Sequence, residues 1–148
     1  MHGADDLDDD AIRRLLLDTR RIAMVGASNK PERPSNGVLA MLVRHGYEVI
    51  PVNPGLAGQA IHGRTVVATL EDAAPLDMVD LFRSLDQIEP AMDDAIRLGA
   101  RSIWMQLGLV HERAAAKARA AGLVVVMDRC PKIEISRLGI PPARSGGA

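Results

Sequence analysis

Along the chain, short and nearly continuous apolar runs alternate with longer segments in which apolar residues recur every three or four positions. Runs of the first kind are typical of buried strands, and segments of the second kind are typical of helices that pack one face on a core. The pattern predicts strands at residues 21–25, 47–52, 64–68, 77–82, 101–105 and 123–127, and helices at residues 8–18, 35–45, 70–74, 86–98 and 110–121.

Alternation of helices with apolar strands indicates a parallel sheet that is covered on both faces. Right-handed crossovers then predict an α/β, three-layer, doubly wound, Rossmann-like fold with a mainly parallel sheet of about five strands. We expect one domain over residues 8–140. The acidic residues 1–7 and the Gly- and Pro-containing residues 141–148 are predicted to be flexible tails.

Composition narrows the function classes. Of 148 residues, 18 are Lys or Arg and 19 are Asp or Glu, so the formal net charge is -1. This balance and the low aromatic content argue against nucleic-acid binding, which favours basic surfaces and stacking platforms. No apolar run approaches the about 20 residues that span a bilayer, and the acidic first ten residues do not resemble a secretory signal. We therefore expect no membrane association and a cytoplasmic location.

The loop after the first strand is the most informative segment, because ligands of such sheets bind at the carboxyl ends of the strands. Gly26 permits a tight turn, Ser35 is a predicted N-cap of the following helix, and Lys30 and Arg33 add two cations. Together these features favour a phosphorylated ligand, although a solvated surface loop is the alternative. The loop contains neither the glycine fingerprint of dinucleotide sites nor a P-loop.

The end of the second strand narrows the choice of nucleotide. Sites for NAD usually place a carboxylate there, whereas this chain has Asn53. A neutral amide does not repel a phosphorylated ribose. NADP and coenzyme A both carry one, so both remain candidates.

Seven short motifs occur in order at the predicted strand ends. They are Val25-Gly26-Ala27-Ser28, Pro31-x-Arg33-x-Ser35, Gly46-Tyr47-x-Val49-x-Pro51-Val52-Asn53-Pro54, Ile61-x-Gly63, Val79-Asp80-x-Phe82-Arg83, Trp104-x-Gln106-x-Gly108 and Asp128-x-Cys130. Over roughly residues 10–138, the chain resembles the stand-alone CoA-binding proteins, which are similar to the nucleotide-binding domain of the succinyl-CoA synthetase α subunit.

The resemblance implies a Rossmann-like fold that binds coenzyme A or an acyl-CoA. In that family's pattern the loop after the first strand holds the ADP phosphates, the end of the second strand lines the adenosine, and two later strand ends flank the nucleotide and the pantetheine arm. The corresponding residues here are Gly26, Ala27 and Ser28, then Asn53 and Pro54, then Phe82, Arg83, Gln106 and Gly108.

The chain departs from the synthetase pattern in two ways, and these limit which functional residues and activities the resemblance implies. The lysine expected shortly after Pro54 is missing, so Lys30 or Arg33 would have to supply that phosphate contact. The chain also lacks room for the second synthetase domain that carries the phosphorylated histidine. Ligase activity is therefore not implied.

Arg83 and Cys130 have two interpretations each. Arg83 either meets a phosphate or a pantetheine carbonyl, or it pairs with Asp86 or Glu89 on the next helix. Cys130 is either a small buried residue or a reactive thiol that forms a mixed disulfide with coenzyme A or senses redox state. Cations at positions 129 and 132 would favour the reactive form.

The remaining polar residues predict no catalytic or metal site. Ser28 lacks the surroundings of a nucleophile elbow, and the four histidines are scattered. Asp77, Asp80 and Asp128 lie at predicted strand ends, where carboxylate chemistry stays open. We expect a non-catalytic binding or regulatory module for a small-molecule nucleotide. The alternatives are a small NADP-binding oxidoreductase and a ligand-dependent interaction module whose protein partner is unknown.

Overall fold

The computed structural model describes residues 3–143 and contains six helices and seven strands within that range. The helices are α1 (Asp9–Asp18), α2 (Pro34–Arg44), α3 (Leu70–Ala73), α4 (Ile88–Arg97), α5 (Glu112–Ala120) and α6 (Pro131–Leu138). The strands are β1 (Arg21–Val25), β2 (Glu48–Val52), β3 (Ala60–Ile61), β4 (Arg64–Thr65), β5 (Met78–Leu81), β6 (Ser102–Met105) and β7 (Val124–Val126).

Five strands form one parallel sheet in the order β2-β1-β5-β6-β7, while β3 and β4 form a separate antiparallel pair. The chain leaves β1 toward β2 and later returns to the other side of β1 to form β5. The strand order therefore reverses between β1 and β5, and a ligand crevice is expected at this point.

Two separate apolar cores cover the two faces of the sheet. Side chains of α1, α2 and α6 pack on one face, and side chains of α3, α4 and α5 pack on the other. Successive residues of a strand serve opposite faces, as Ile22 and Ala23 of β1 do. This arrangement confirms the three-layer, doubly wound fold. No helix within residues 3–143 is both long and apolar enough to cross a membrane.

Both segments predicted to be flexible tails contain a residue that contacts a distant part of the chain. Asp5 is only 4% exposed, and its carboxylate accepts the backbone N–H of Met127 at 3.0 Å. At the other end, the N–H of Ala143 donates to the carbonyl of His45 at 2.7 Å. The domain boundaries at residues 8 and 140 stay a prediction. Residues 1–2 and 144–148 lie outside the described residues.

Candidate functional site

A trough of about 800 Å³ runs along the carboxyl edge of the sheet. Its lining includes Asn53 after β2, Gly26 after β1, Phe82 after β5, Gln106 after β6 and Cys130 after β7. The strand ends that it meets, from β2 to β6, are separated by three interstrand spacings of about 4.8 Å, or about 14 Å in all. The trough brings together eleven of the predicted site residues: Gly26, Ala27, Ser28, Lys30, Arg33, Ser35, Asn53, Phe82, Arg83, Gln106 and Cys130.

Gly26 forms the floor of the trough where the strand order reverses. Its φ is +88°, and a Cβ atom here would overlap the carbonyl oxygen of Phe82. The N–H of Gly26 donates to Val52 at 3.0 Å, and the N–H of Phe82 donates to Val25 at 2.8 Å. Only glycine lets the ends of three neighbouring strands approach this closely.

The loop between β1 and α2 is held by side chains from within its own segment and from α2. The N–H of Ser28 donates to Ser35 Oγ at 3.1 Å, and Asn36 Nδ2 donates to the Ser28 carbonyl at 3.0 Å. Ser35 is therefore not the N-cap that the sequence predicted. Helix α2 begins one residue earlier, at Pro34, whose fixed φ suits the first helical position.

The N-cap of α2 is instead Arg33, and it makes no side-chain capping hydrogen bond. Arg33, Pro34 and Ser35 all line the trough, so the amino end of α2 opens onto it. A helix start of this kind carries a partial positive charge and attracts anions.

Three cations also line the trough. Lys30 and Arg33 are exposed, and Arg83 is half-buried. Among the described residues none of the three has an ion-pair partner, whereas most ion pairs of the chain involve arginines on other surfaces. The site therefore presents positive charge that the surrounding carboxylates do not neutralise.

Arg83 makes no ion pair with Asp86 or Glu89 in the described residues, so its alternative predicted role is wrong. The carboxylate of Asp86 accepts the hydroxyl of Ser84. The carboxylate of Glu89 lies 3.4 Å from Lys117 Nζ on α5. Arg83 is left facing the trough.

Asn53 ties two loops together. Its Nδ2 donates to the carbonyl of Ala27 at 2.8 Å, and its Oδ1 accepts the N–H of Gly55 at 2.9 Å. Asn53 thus fixes the end of β2 against the loop after β1. This bridging role explains why an amide suits the position independently of any ligand.

Two predicted site residues lie outside the trough. Pro54 begins a short 3-10 turn and lines a neighbouring cavity of about 430 Å³. Gly108 turns the loop after β6 with a φ of +83°, and its N–H donates to Asp128 Oδ1 at 2.7 Å. Both residues shape the loops at this edge without contributing to the trough surface.

Sequence reasoning missed most of the apolar part of the lining, which comes from Val38, Leu56 and Leu109. Leu107 in the loop after β6 also lines the trough and is 58% exposed, an unusual position for a leucine. The available signal was a pair of leucines on either side of a glycine in a strand-end loop. Apolar walls beside convergent charges suit a ligand that has both a phosphorylated and an apolar part.

One neutral acceptor in the trough lacks a partner. Gln106 is 7% exposed, and its Oε1 accepts no hydrogen bond from the described residues. A buried acceptor in this state costs about 1–3 kcal/mol of stability. A ligand N–H group at this position would satisfy it.

The strand-end carboxylates have separate positions and do not form a catalytic pair. Asp77, at the amino edge, accepts the N–H groups of Arg20 and Arg21, both at 3.0 Å. Asp128 holds the loop after β6. Asp80 lies inside the sheet, its two oxygens have no hydrogen-bond partner in the part of the chain that the structure describes, and burial raises its pKa well above the ordinary value. Residues 3–143 contain no group of three or more His, Cys, Asp or Glu residues placed to hold a metal ion.

Cys130 is partly exposed, lines the trough and is the N-cap of α6. The neighbouring Arg129, which was expected to favour a reactive thiol, also makes ion pairs of its own. Its guanidinium is engaged by two buried carboxylates, Asp5 at 2.8 Å and Glu134 at 2.7 Å. Burial disfavours ionisation of Asp5, but hydrogen bonds from Arg129 and from backbone N–H groups outweigh it and lower the pKa of this carboxyl.

Several proteins are similar to this chain in sequence, in structure or in both. The uncharacterized protein YneT of Bacillus subtilis (strain 168) is 35% identical over 122 residues, which are 82% of this chain and 90% of that protein. A hypothetical protein from Pyrococcus horikoshii OT3 superposes with a TM-score of 0.86 at 38% identity, covering 93% of this chain and 96% of its own. The Thermus thermophilus structure described as cell-free ID.343 gives 0.84 at 34% identity, covering 89% and 99%.

A larger enzyme shares the fold over part of its length. Acetyl-coenzyme A synthetase 1 of Ca. Korarchaeum cryptofilum, described as dinucleotide forming, superposes with a TM-score of 0.65 at 23% identity. The match covers 80% of this chain and 27% of that one. A family model described as CoA binding domain matches residues 20–136, a range that includes every trough residue. The description of this family supports coenzyme A as the ligand. The extent of the match shows that the chain belongs to the CoA-binding domain family.

Proposed function

We propose that the trough binds coenzyme A, or an acyl-CoA, through its phosphorylated ADP moiety. The observation that carries this proposal is the set of three cations, Lys30, Arg33 and Arg83, which have no ion-pair partner among the described residues. The amino end of α2 adds a further attraction for phosphate at the same place. The 3′-phosphate and the pyrophosphate of coenzyme A supply charges of the matching sign.

The rest of the ligand fits the remainder of the trough. A crevice about 14 Å long, as three strand spacings require, with a volume of about 800 Å³ suits an extended molecule better than a mononucleotide. Leu107 and Leu109 offer an apolar wall. Gln106 offers an acceptor for one of the two amide N–H groups of the pantetheine arm.

The lining also favours a binding or regulatory role over catalysis. The titratable groups among the described residues of the trough are the three cations and the thiol of Cys130. Within residues 3–143, no carboxylate or imidazole lines the trough to act as a general base. Hydride transfer by a small NADP enzyme would need a substrate position with a proton donor, which this lining does not supply.

Calorimetric titration with coenzyme A, 3′-dephospho-CoA and NADPH tests the proposal. We expect coenzyme A to bind more tightly than 3′-dephospho-CoA, and Lys30→Ala/Arg33→Ala to weaken coenzyme A binding about tenfold, equivalent to about 1.4 kcal/mol. The variant should also reduce the preference for the 3′-phosphate and lessen the dependence of affinity on salt.

The matched control is Arg113→Ala/Lys117→Ala, which removes one Arg and one Lys from α5, outside the trough. This variant should bind like the wild type. Equal affinity of the Lys30/Arg33 variant and the wild type for both ligands contradicts the phosphate assignment. Tighter binding of NADPH than of coenzyme A contradicts the ligand assignment.

A further inference from the structure

Cys130 lines the trough on the β6 side, away from Asn53 at the end of β2, since the N–H of the preceding Arg129 donates to Met105 at the end of β6. It is the only cysteine of the chain. The residue is partly exposed, so a ligand in the trough can reach it.

The segment that directly precedes Cys130 is anchored by several contacts. Trp104 Nε1 donates to the carbonyl of Arg129 at 2.7 Å. Asp128 Oδ1 accepts the N–H of Gly108 at 2.7 Å, which joins this segment to the loop after β6. The guanidinium of Arg129 is itself fixed by Asp5. The thiol is therefore presented from a supported segment at a defined place in the trough wall.

Gln106 offers a contact for the arm of a ligand at this end of the trough. The residue lines the same trough as Cys130, and its buried Oε1 has no hydrogen-bond partner among the described residues, so it requires an N–H donor. In coenzyme A the adenine amino group and the two amide N–H groups of the pantetheine arm are donors of this kind, and the arm ends in the thiol. When the arm satisfies Gln106, the sulfur at its end lies on the side of Cys130.

We propose that Cys130 is a site of thiol–disulfide exchange with coenzyme A disulfide, so that the chain can hold coenzyme A covalently. This inference rests on the proposed function, because the nucleotide end of the ligand delivers the sulfur. The Cys130 thiolate attacks one sulfur of the disulfide and a new S–S bond forms. The original S–S bond breaks, and one coenzyme A leaves as a thiolate that takes a proton from water. Coenzyme A disulfide is the oxidant, and no other electron acceptor is needed.

The test compares two disulfides by intact mass. Coenzyme A disulfide carries both arm and nucleotide, whereas pantethine, the disulfide of pantetheine, carries the arm alone. We expect a single coenzyme A adduct that dithiothreitol reverses and that is absent in Cys130→Ser. It should form at least about tenfold faster than the pantethine adduct, the ratio that about 1.4 kcal/mol of nucleotide binding provides.

Two double variants show whether binding guides the reaction. Lys30→Ala/Arg33→Ala should lose most of the rate advantage of coenzyme A disulfide, whereas Arg113→Ala/Lys117→Ala should keep it. Their urea unfolding midpoints verify that both variants fold. Equal rates with the two disulfides, or no adduct at all, overturn the proposal.

Calorimetry of Cys130→Ser with reduced coenzyme A separates this inference from the function it rests on. Normal binding without an adduct on the wild type overturns only the exchange reaction. Absence of coenzyme A binding in both proteins overturns the proposed function itself.

Discussion

The buried carboxyl of Asp80 predicts an unusual dependence of stability on pH. Asp80 lies in the middle of β5, in register with Met24 of β1 and Trp104 of β6, and it is 0% exposed. Neither of its oxygens has a hydrogen-bond partner among the described residues. Burial disfavours the ionised form and raises the pKa of this carboxyl well above its ordinary value. Replacement of Asp80 by Asn removes the titration and keeps the shape.

The sign and slope follow from proton linkage. In the unfolded chain Asp80 ionises with a pKa of about 3.9, so above that pH the folded state binds the extra proton. Stability is therefore greatest in acid with respect to this group. It falls by about 1.4 kcal/mol per pH unit until the folded carboxyl ionises. Within that range, two pH units change the free energy of unfolding by about 2.7 kcal/mol.

Urea unfolding of the wild type and Asp80→Asn from pH 5 to pH 7 measures this difference, with the fluorescence of the single, fully buried Trp104 as the signal. We expect the stability of the variant to rise relative to the wild type by about 1.4 kcal/mol per pH unit. The pH at which the gain levels off marks ionisation of the folded carboxyl. Asp10→Asn, which removes an exposed carboxylate from α1, is the control for net charge. Parallel curves for the wild type and Asp80→Asn would refute the reasoning.

Three further predictions follow from single contacts. Gln106→Leu should weaken coenzyme A binding about fivefold to tenfold in calorimetry, because one hydrogen bond to the ligand is lost. The same variant should maintain or raise the urea midpoint of the free protein, because a buried acceptor without a partner is removed. A fall in both the affinity and the urea midpoint contradicts this interpretation. Gly26→Ala should lower the free energy of urea unfolding by about 3 kcal/mol or more, because the new Cβ atom stands on a backbone with positive φ and overlaps Phe82. A decrease of less than about 1 kcal/mol contradicts this prediction. Asp5→Ala should cost about 3 kcal/mol at neutral pH, because Arg129 loses a buried partner. Folding lowers the pKa of Asp5, so acid that protonates Asp5 in the wild type should reduce the difference in unfolding free energy between the wild type and Asp5→Ala. A difference that stays constant down to pH 2 contradicts the pairing with Arg129.

The sheet was predictable from sequence because its strands are buried on both faces and their apolar runs are local signals. Every predicted strand of the main sheet lies within two residues of the observed one, as residues 47–52 do against β2. Helix α6 was not predicted, because its buried face includes a carboxylate, Glu134, whose place depends on Arg129 and Arg137. No periodicity rule counts a charged residue as core when its partners come from elsewhere in the fold.

Local and long-range contacts also divide the candidate site. Lys30, Arg33 and the start of α2 are contiguous in the chain, so their proximity at one end of the trough could be predicted from one segment of sequence. The backbone before Cys130 depends on the buried pair between Asp5 and Arg129, which are 124 residues apart. No local sequence pattern indicates a contact of that kind. We therefore expect removal of residues 3–7 to disturb the Cys130 end of the trough before it disturbs the end at Lys30 and Arg33.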